Sequence, residues 1–334
     1  MPAPVLLLCE LTEGQEADFF ALLTEKQELK TRDGKPYHRV TFRDAKREVG
    51  FPIWCDSPLA DSCRNDWSPG NFFKMRAVYR QTTYGPQLDI KKIRPVEDGD
   101  RKDGFDPMMC QPSSRFDAVE MFAELMNIIE SRIKNKALRT LVADIMEQHR
   151  EPLLTMPAAK RNHHAFASGY LEHVLNVTRT CCHLAERYAD LYHDLDPPLC
   201  TDVIVAGAVL HDIGKLRELE VGPSGGADYT VAGHLIGHIL QGRDIVRETA
   251  AGRKIDPELL LRLEHVIVAH QRLPEWGSPK PPMTPEALIV HHADDLDAKL
   301  QMIVCSLQDE SVSGPMSSKK NAMNQQFYRG PAKG

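Results

Sequence analysis

Eight consecutive uncharged residues, Val203 to Leu210, run straight into His211-Asp212-Ile213-Gly214-Lys215. A helix that is apolar on every side belongs in the interior of a helical domain. Its last turn then carries an imidazole and a carboxylate inside with it, a costly burial unless something pairs with them. A divalent metal is the natural partner. Neutral imidazole nitrogen and carboxylate oxygen suit Mn²⁺, Fe²⁺, Zn²⁺ or Mg²⁺, with Mg²⁺ the least fond of nitrogen.

A His-Asp dipeptide alone is a weak motif, but three more apolar stretches each embed a histidine: Leu171-Glu172-His173-Val174-Leu175, Ile236-Gly237-His238-Ile239-Leu240 and Val266-Ile267-Val268-Ala269-His270. The series closes with Leu288-Ile289-Val290, followed by Asp294, Asp295 and Asp297. Upstream, Phe116, Val119, Phe122, Leu125, Ile129 and Ile133 recur at spacings of three and four behind Ser113-Ser114, which reads as a helix start. From there to about Ile303 the pattern is helical throughout.

The first hundred residues read differently. Short β-branched and aromatic runs such as Val40-Thr41-Phe42 and Phe72 to Tyr79 are separated by Arg32-Asp33-Gly34-Lys35, Ser68-Pro69-Gly70-Asn71 and Tyr84-Gly85-Pro86. Strands joined by hairpin turns predict a small β-barrel or sandwich, with basic residues on the face opposite its core. At 334 residues the chain is too long for one core. The expected division is a barrel over 1–100, a polar linker over 101–112, a helical domain over 113–310 and a flexible tail over 311–334.

No run approaches the roughly 20 apolar residues of a membrane span. Nor does the start carry the basic flank of a secretory signal, so the cytoplasm is the expected location. Eight cysteines without a CxxC pair predict reduced, mostly buried thiols. A net charge of −6 offers no global attraction to nucleic acid, so a polyanion would need a local basic surface.

The order His173, His211-Asp212, Asp294 resembles the HD superfamily of metal-dependent phosphohydrolases, and His238 and His270 fit the extra ligands of its two-metal members. His163-His164-Ala165-Phe166, Gly169-Tyr170-Leu171-Glu172-His173, Gly277-Ser278-Pro279, Met283-Thr284-Pro285-Glu286-Ala287 and His292 to Lys299 are similar to the YhaM family of 3′-to-5′ exoribonucleases. Ser168 stands where that family usually has the first glycine of a pair. Gln271 follows His270 where some HD relatives have a second histidine.

The resemblance implies an α+β multidomain chain, an OB-like barrel followed by an all-α HD domain. It implies two divalent ions, Mn²⁺ favoured, with Fe²⁺, Co²⁺ or Mg²⁺ as alternatives. His173, His211, Asp212 and Asp294 would hold the first, with Asp212 bridging to a second on His238 and His270. A metal-activated water would hydrolyse the phosphodiester and release 5′-mononucleotides. Lys215 would neutralise a phosphate oxygen, Asp297 would orient a ligand histidine, and His163 and His164 would bind the terminal phosphate or protonate the leaving oxygen. His234, His265, His291 and His292 are expected to be structural.

The barrel bears on the choice of substrate, because OB-type strands and loops stack bases while cations hold the backbone. Its candidates are Tyr37, Trp54, Phe73, Tyr79 and Tyr84 for stacking, and Lys35, Arg39, Lys74, Arg76, Lys91 and Lys92 for phosphates. With the family resemblance these favour single-stranded RNA, DNA being left open, as is a homo-oligomer. The alternatives are an HD phosphohydrolase of small or cyclic nucleotides with a regulatory barrel, and a non-catalytic nucleic-acid-binding protein.

Overall fold

The computed structural model describes residues 5–31, 33–82, 85–222, 226–308 and 314–331. The N-terminal part is a barrel-like sheet of β1 (Val5–Leu6), β2 (Glu16–Lys30), β3 (Pro36–Arg43), β4 (Glu48–Trp54), β5 (Phe72–Thr82) and β6 (Gly85–Pro95), with the short helix α1 (Ala60–Asn65) between β4 and β5. The order is β4-β3-β2-β5-β6, antiparallel along its length, with β1 added parallel to β2. The edge strands β4 and β6 approach each other and curl the sheet towards closure.

Strand β2 makes this curvature possible. Its first half, Glu16 to Leu22, pairs with β5, and its second half, through Lys30, pairs with β3. An irregularity between Leu23 and Glu25 lies where the partners change over, as a bulge that bends a strand should. Five long strands with a helix before the fourth make the partly open barrel of the OB type. Phe19, Leu23, Val40, Phe42, Phe73 and Met75 fill its interior.

The outer face of β2 is covered too. Phe20 and Leu22 pack against Phe105 and Cys110 from the segment expected to be a linker, which forms 3₁₀ turns at Asp98–Asp103 and Pro107–Cys110. Asp100 anchors it, accepting from Arg94 (2.7 Å) and Lys74 (3.1 Å).

The second part comprises α2 (Ala118–Arg132), α3 (Lys136–Gln148), α4 (Arg150–Thr155), α5 (Gly169–Leu191), α6 (Thr201–Leu210), α7 (Lys215–Glu218), a hairpin of β7 (Leu219–Val221) and β8 (Ala227–Tyr229), α8 (Val231–Ile236), α9 (His238–Ala250), α10 (Pro257–Ala269) and α11 (Pro285–Gln308). Helix α6 is central: every residue from Val203 to Leu210 is buried, and α5, α10 and α11 pack around it. Gly207 lets α10 come close, since a Cβ there would sit 2.5 Å from Val266 Cγ1.

Several expectations need correcting. Helix α2 is capped by Asp117, whose carboxylate accepts from Val119 and Glu120. Ser114 instead donates to Glu172 (2.6 Å), and Phe116 and Val119 are exposed while Met121, Phe122, Leu125 and Ile129 form the core face. The cysteines are free thiols, but just Cys63, Cys110 and Cys181 are buried. Within the stretch expected as a flexible tail, residues 314–331 fold back on themselves, with Ser317 donating to the Phe327 carbonyl. Among the described residues no helix is long and apolar enough to cross a membrane.

Candidate metal centre

Five helices bring their ends or inner faces to one point. α5 supplies His173 and α11 supplies Asp294. The chain just after α6 supplies His211 and Asp212, α9 begins with His238, and His270 closes α10. His173, His211, Asp212 and His270 are buried to within 2% of complete. Two triads result, His173-His211-Asp294 and Asp212-His238-His270, each with potential ligand atoms within 4.8 Å of one another.

Asp212 joins them. Its Oδ2 lies 3.5 Å from the Nε2 atoms of both His173 and His211, while its Oδ1 lies 3.3 Å from His238 Nε2 and 3.5 Å from His270 Nε2. Asp294 Oδ1 is 3.2 Å from His173 Nε2.

The far sides of the imidazoles set their protonation. His211 Nδ1 faces the Ala208 carbonyl (2.8 Å), His270 Nδ1 the Ile267 carbonyl (2.7 Å), His173 Nδ1 the Asp297 carboxylate (2.8 Å) and His238 Nδ1 the Glu218 carboxylate (3.0 Å). Carbonyls and carboxylates only accept, so each Nδ1 carries the hydrogen and each Nε2 turns a lone pair inward. Metal-binding histidines are held in the same way. Asp212 Oδ1 and His270 Nε2 are buried without a hydrogen-bond partner and face each other. A cation between them would satisfy both, so the donor set fits divalent metal.

The electrostatics agree. Burial opposes ionisation of Asp212, yet Lys215, donating to its Oδ2 at 2.6 Å, and His211 hold its pKa well below the carboxylate range. Burial likewise opposes a charge on His173, but Asp212, Asp294 and Asp297 hold its pKa well above the imidazole norm, so a proton and a cation compete for its Nε2 lone pair. The cluster therefore draws positive charge inward. Burial, with Lys215 nearby, pushes the His163 imidazole down to about 3, leaving it neutral.

His164 lies behind this centre. Its Nε2 is 2.9 Å from Asp297, the carboxylate that also holds His173. The turn is built for it: His164 has φ 47°, and a Cβ on Gly169 would fall 2.1 Å from the His164 carbonyl. Ser168 adopts φ 62°, a left-handed conformation that explains a glycine preference, and offsets the strain by donating to the Leu154 carbonyl (2.7 Å). Gln271 places its amide nitrogen 3.3 Å from His238 Nε2. His291 bonds the His270 carbonyl and His265 accepts from Met283, both holding backbone in place.

A cleft of about 300 Å³ opens on the centre, lined by His163, Lys215, His238, Gln271, Tyr229 and Trp276 among others. The barrel candidates are not among its lining residues. Tyr37 and Trp54 pair on neighbouring strands β3 and β4 with ring centroids 5.0 Å apart. Arg76 forms a bidentate pair with Asp18 (2.7 and 2.6 Å), and Lys91 bonds Asp89 (2.7 Å). Lys35 is exposed, as is Trp54, whereas Phe73 and Tyr79 belong to the core. Tyr84 lies outside the described residues. Sequence reasoning missed Glu218, Tyr229 and Trp276. The single hint was that a fourth ligand histidine needs an acceptor for its outer nitrogen.

Comparison with known proteins completes the picture. The HD domain family matches residues 170–299. Over 317 residues the chain is 30% identical to the 3′-5′ exoribonuclease YhaM of Bacillus subtilis (strain 168), covering 95% of each. The Bacillus licheniformis protein of the same description matches at 30% identity over the same shares. Among solved structures, the second OB-fold domain of replication protein A from Methanococcus maripaludis aligns with 28% of this chain and 96% of its own, at 17% identity and a TM-score of 0.22.

Proposed function

This chain belongs to the YhaM family of 3′-5′ exoribonucleases, and from that premise we infer that it is a metal-dependent hydrolase. It degrades single-stranded RNA from the 3′ end and releases 5′-mononucleotides. The observation that carries the reading is the placement of Asp212, whose two oxygens each face a separate pair of imidazole Nε2 atoms.

His173, His211, Asp294 and one oxygen of Asp212 would hold one divalent ion, and His238, His270 and the other oxygen a second. Mn²⁺ suits this mixture of imidazole and carboxylate better than Mg²⁺. Bound there, such ions supply Lewis acidity and lower the pKa of water. The protein's own groups do the rest. Lys215, 5% exposed beside Asp212, is placed to meet a non-bridging phosphate oxygen. His163, neutral at the cleft wall, is placed to bond the terminal phosphate. Asp297 and His164 hold His173 in its tautomer from behind, a more fitting role for His164 than protonating the leaving oxygen.

Tyr37 and Trp54 offer the barrel's aromatic surface for single-stranded RNA. The free thiols fit a reducing cytoplasm.

The test uses RNA labelled at its 5′ end, incubated with Mn²⁺ and either wild type or Asp212→Ala. Wild type should yield a descending ladder with 5′-mononucleotides and the variant intact RNA. Internal cuts, or a ladder from both proteins, would overturn the reading.

A further inference from the structure

Two large aromatic side chains stand exposed in the cleft that opens on the metal centre. Trp276 is 50% exposed and Tyr229 38%. Neither is loosely placed. Trp276 ends the 3₁₀ turn Pro274–Trp276, its amide bonded to the Leu273 carbonyl (3.0 Å), with Gly277 reversing the chain at φ 101°. Buried Ser278 ties this loop to the end of α10 by accepting from the Gln271 amide (3.1 Å). Tyr229 is held in the hairpin opposite Leu219, with the Lys160 ammonium 5.7 Å over its ring and the His234 ring 5.2 Å away.

A rigid aromatic surface left open to solvent beside a polar centre marks a binding site for something flat. The other walls carry Lys215 and His163, groups suited to phosphate, and Lys160, which is bonded to Asp228 (2.6 Å). At about 300 Å³ the cleft is at the small end of ligand sites. That is room for one nucleotide, not a helix or a run of stacked bases. Resting on the exonuclease reading, we propose that this cleft seats the 3′-terminal nucleotide, its base stacked on Trp276 and Tyr229 and its 5′-phosphate beside Lys215 and His163. The enzyme then grips the residue it removes by its base face, without regard to base identity, because every base has a stacking face.

The test compares two 5′-labelled single-stranded RNAs that differ in one respect: the second ends in a ribose with no base. Single-turnover removal of the last residue is followed for wild type, Trp276→Ala and Trp276→Phe. Wild type should remove the ordinary terminus at least about 10-fold faster than the base-less one, the scale of one base–aromatic stack. Trp276→Ala should shrink that advantage to about two-fold, and Trp276→Phe should keep most of it. Should Trp276→Ala fail to fold, Trp276→Leu replaces it, keeping apolar bulk while removing the ring. Equal rates on both RNAs in wild type would overturn the proposal, as would equal slowing of both by the variant. If wild type shortens neither RNA, the exonuclease reading itself fails.

Discussion

Asp212 is ionised inside the helical domain because Lys215 and a ring of imidazoles surround it, and those imidazoles are useful only while their outer nitrogens stay bonded. The two carboxylates that do this stand behind different triads. Asp297 holds His173, and Glu218 holds His238 through both its ring (3.0 Å) and its backbone amide (2.9 Å). Removing such a partner costs about 10–100-fold in metal affinity. Titrating metal-free protein with Mn²⁺ in a calorimeter, we expect Asp297→Ala to weaken one binding step and Glu218→Ala the other. Variants that both weaken the same step would show that the triads do not act as two sites. Asp297 was visible in the sequence because it sits one helical turn from Asp294. Glu218 was not, since the β7–β8 hairpin separates it from His238 and no periodicity spans that gap.

At the level of elements, the interior position of α6 was legible because no polar residue interrupts it from Val203 to Leu210. The start of α2 was misread because Ser114 and Asp117 are both good caps, and what decides between them is Glu172, a residue of α5. Long-range packing also explains Gly214. Its φ is an ordinary −67°, but a Cβ would lie 1.9 Å from the His238 carbonyl and 2.4 Å from the Gly242 amide. Backbone cannot rotate away, so Gly214→Ala must part α7 from α9 and draw His238 from Asp212. The expected cost is about 1–3 kcal/mol, read from the urea midpoint, together with loss of one Mn²⁺ per chain. An unchanged midpoint would refute the clash.

The cations of β5 and β6 show the same limit: their alternation could be read, but Asp18 lies 58 residues from its partner Arg76, and Asp100 lies 26 residues from Lys74. Arg94, opposed in part by burial and helped by Lys74, holds the Asp100 carboxyl well below its ordinary range. A depressed pKa stabilises the folded state above the unfolded value of 3.8 and loses that contribution as pH falls. Asp100→Asn should therefore lower stability by about 1–3 kcal/mol at neutral pH. The difference from wild type should narrow below about pH 4. A gap that is constant across that range would remove the ion pairs as its cause.

In the whole molecule, the proposed function divides the work between two domains: the barrel would retain RNA and the helical domain would cut it. Acids already satisfy much of the barrel's charge, with Arg76 on Asp18, Lys91 on Asp89, and Lys74 and Arg94 on Asp100. Together with a net charge of −6, this leaves stacking as the main source of affinity. On that function Tyr37 and Trp54 would supply it from adjacent strands, each aromatic worth about 1–3 kcal/mol per stacked base. Replacing both with alanine should raise KM for long RNA at least about 10-fold and leave kcat close to wild type, because neither residue lines the catalytic cleft. On fragments too short to reach the barrel the defect should vanish. The salt dependence of binding should be shallow, well short of the loss of about 0.7 log unit per tenfold salt for each contacted phosphate that a strand held at many phosphates would show. A steep slope with an unaffected double variant would mean that cations such as Lys35 and Arg39, not the aromatic pair, hold the strand.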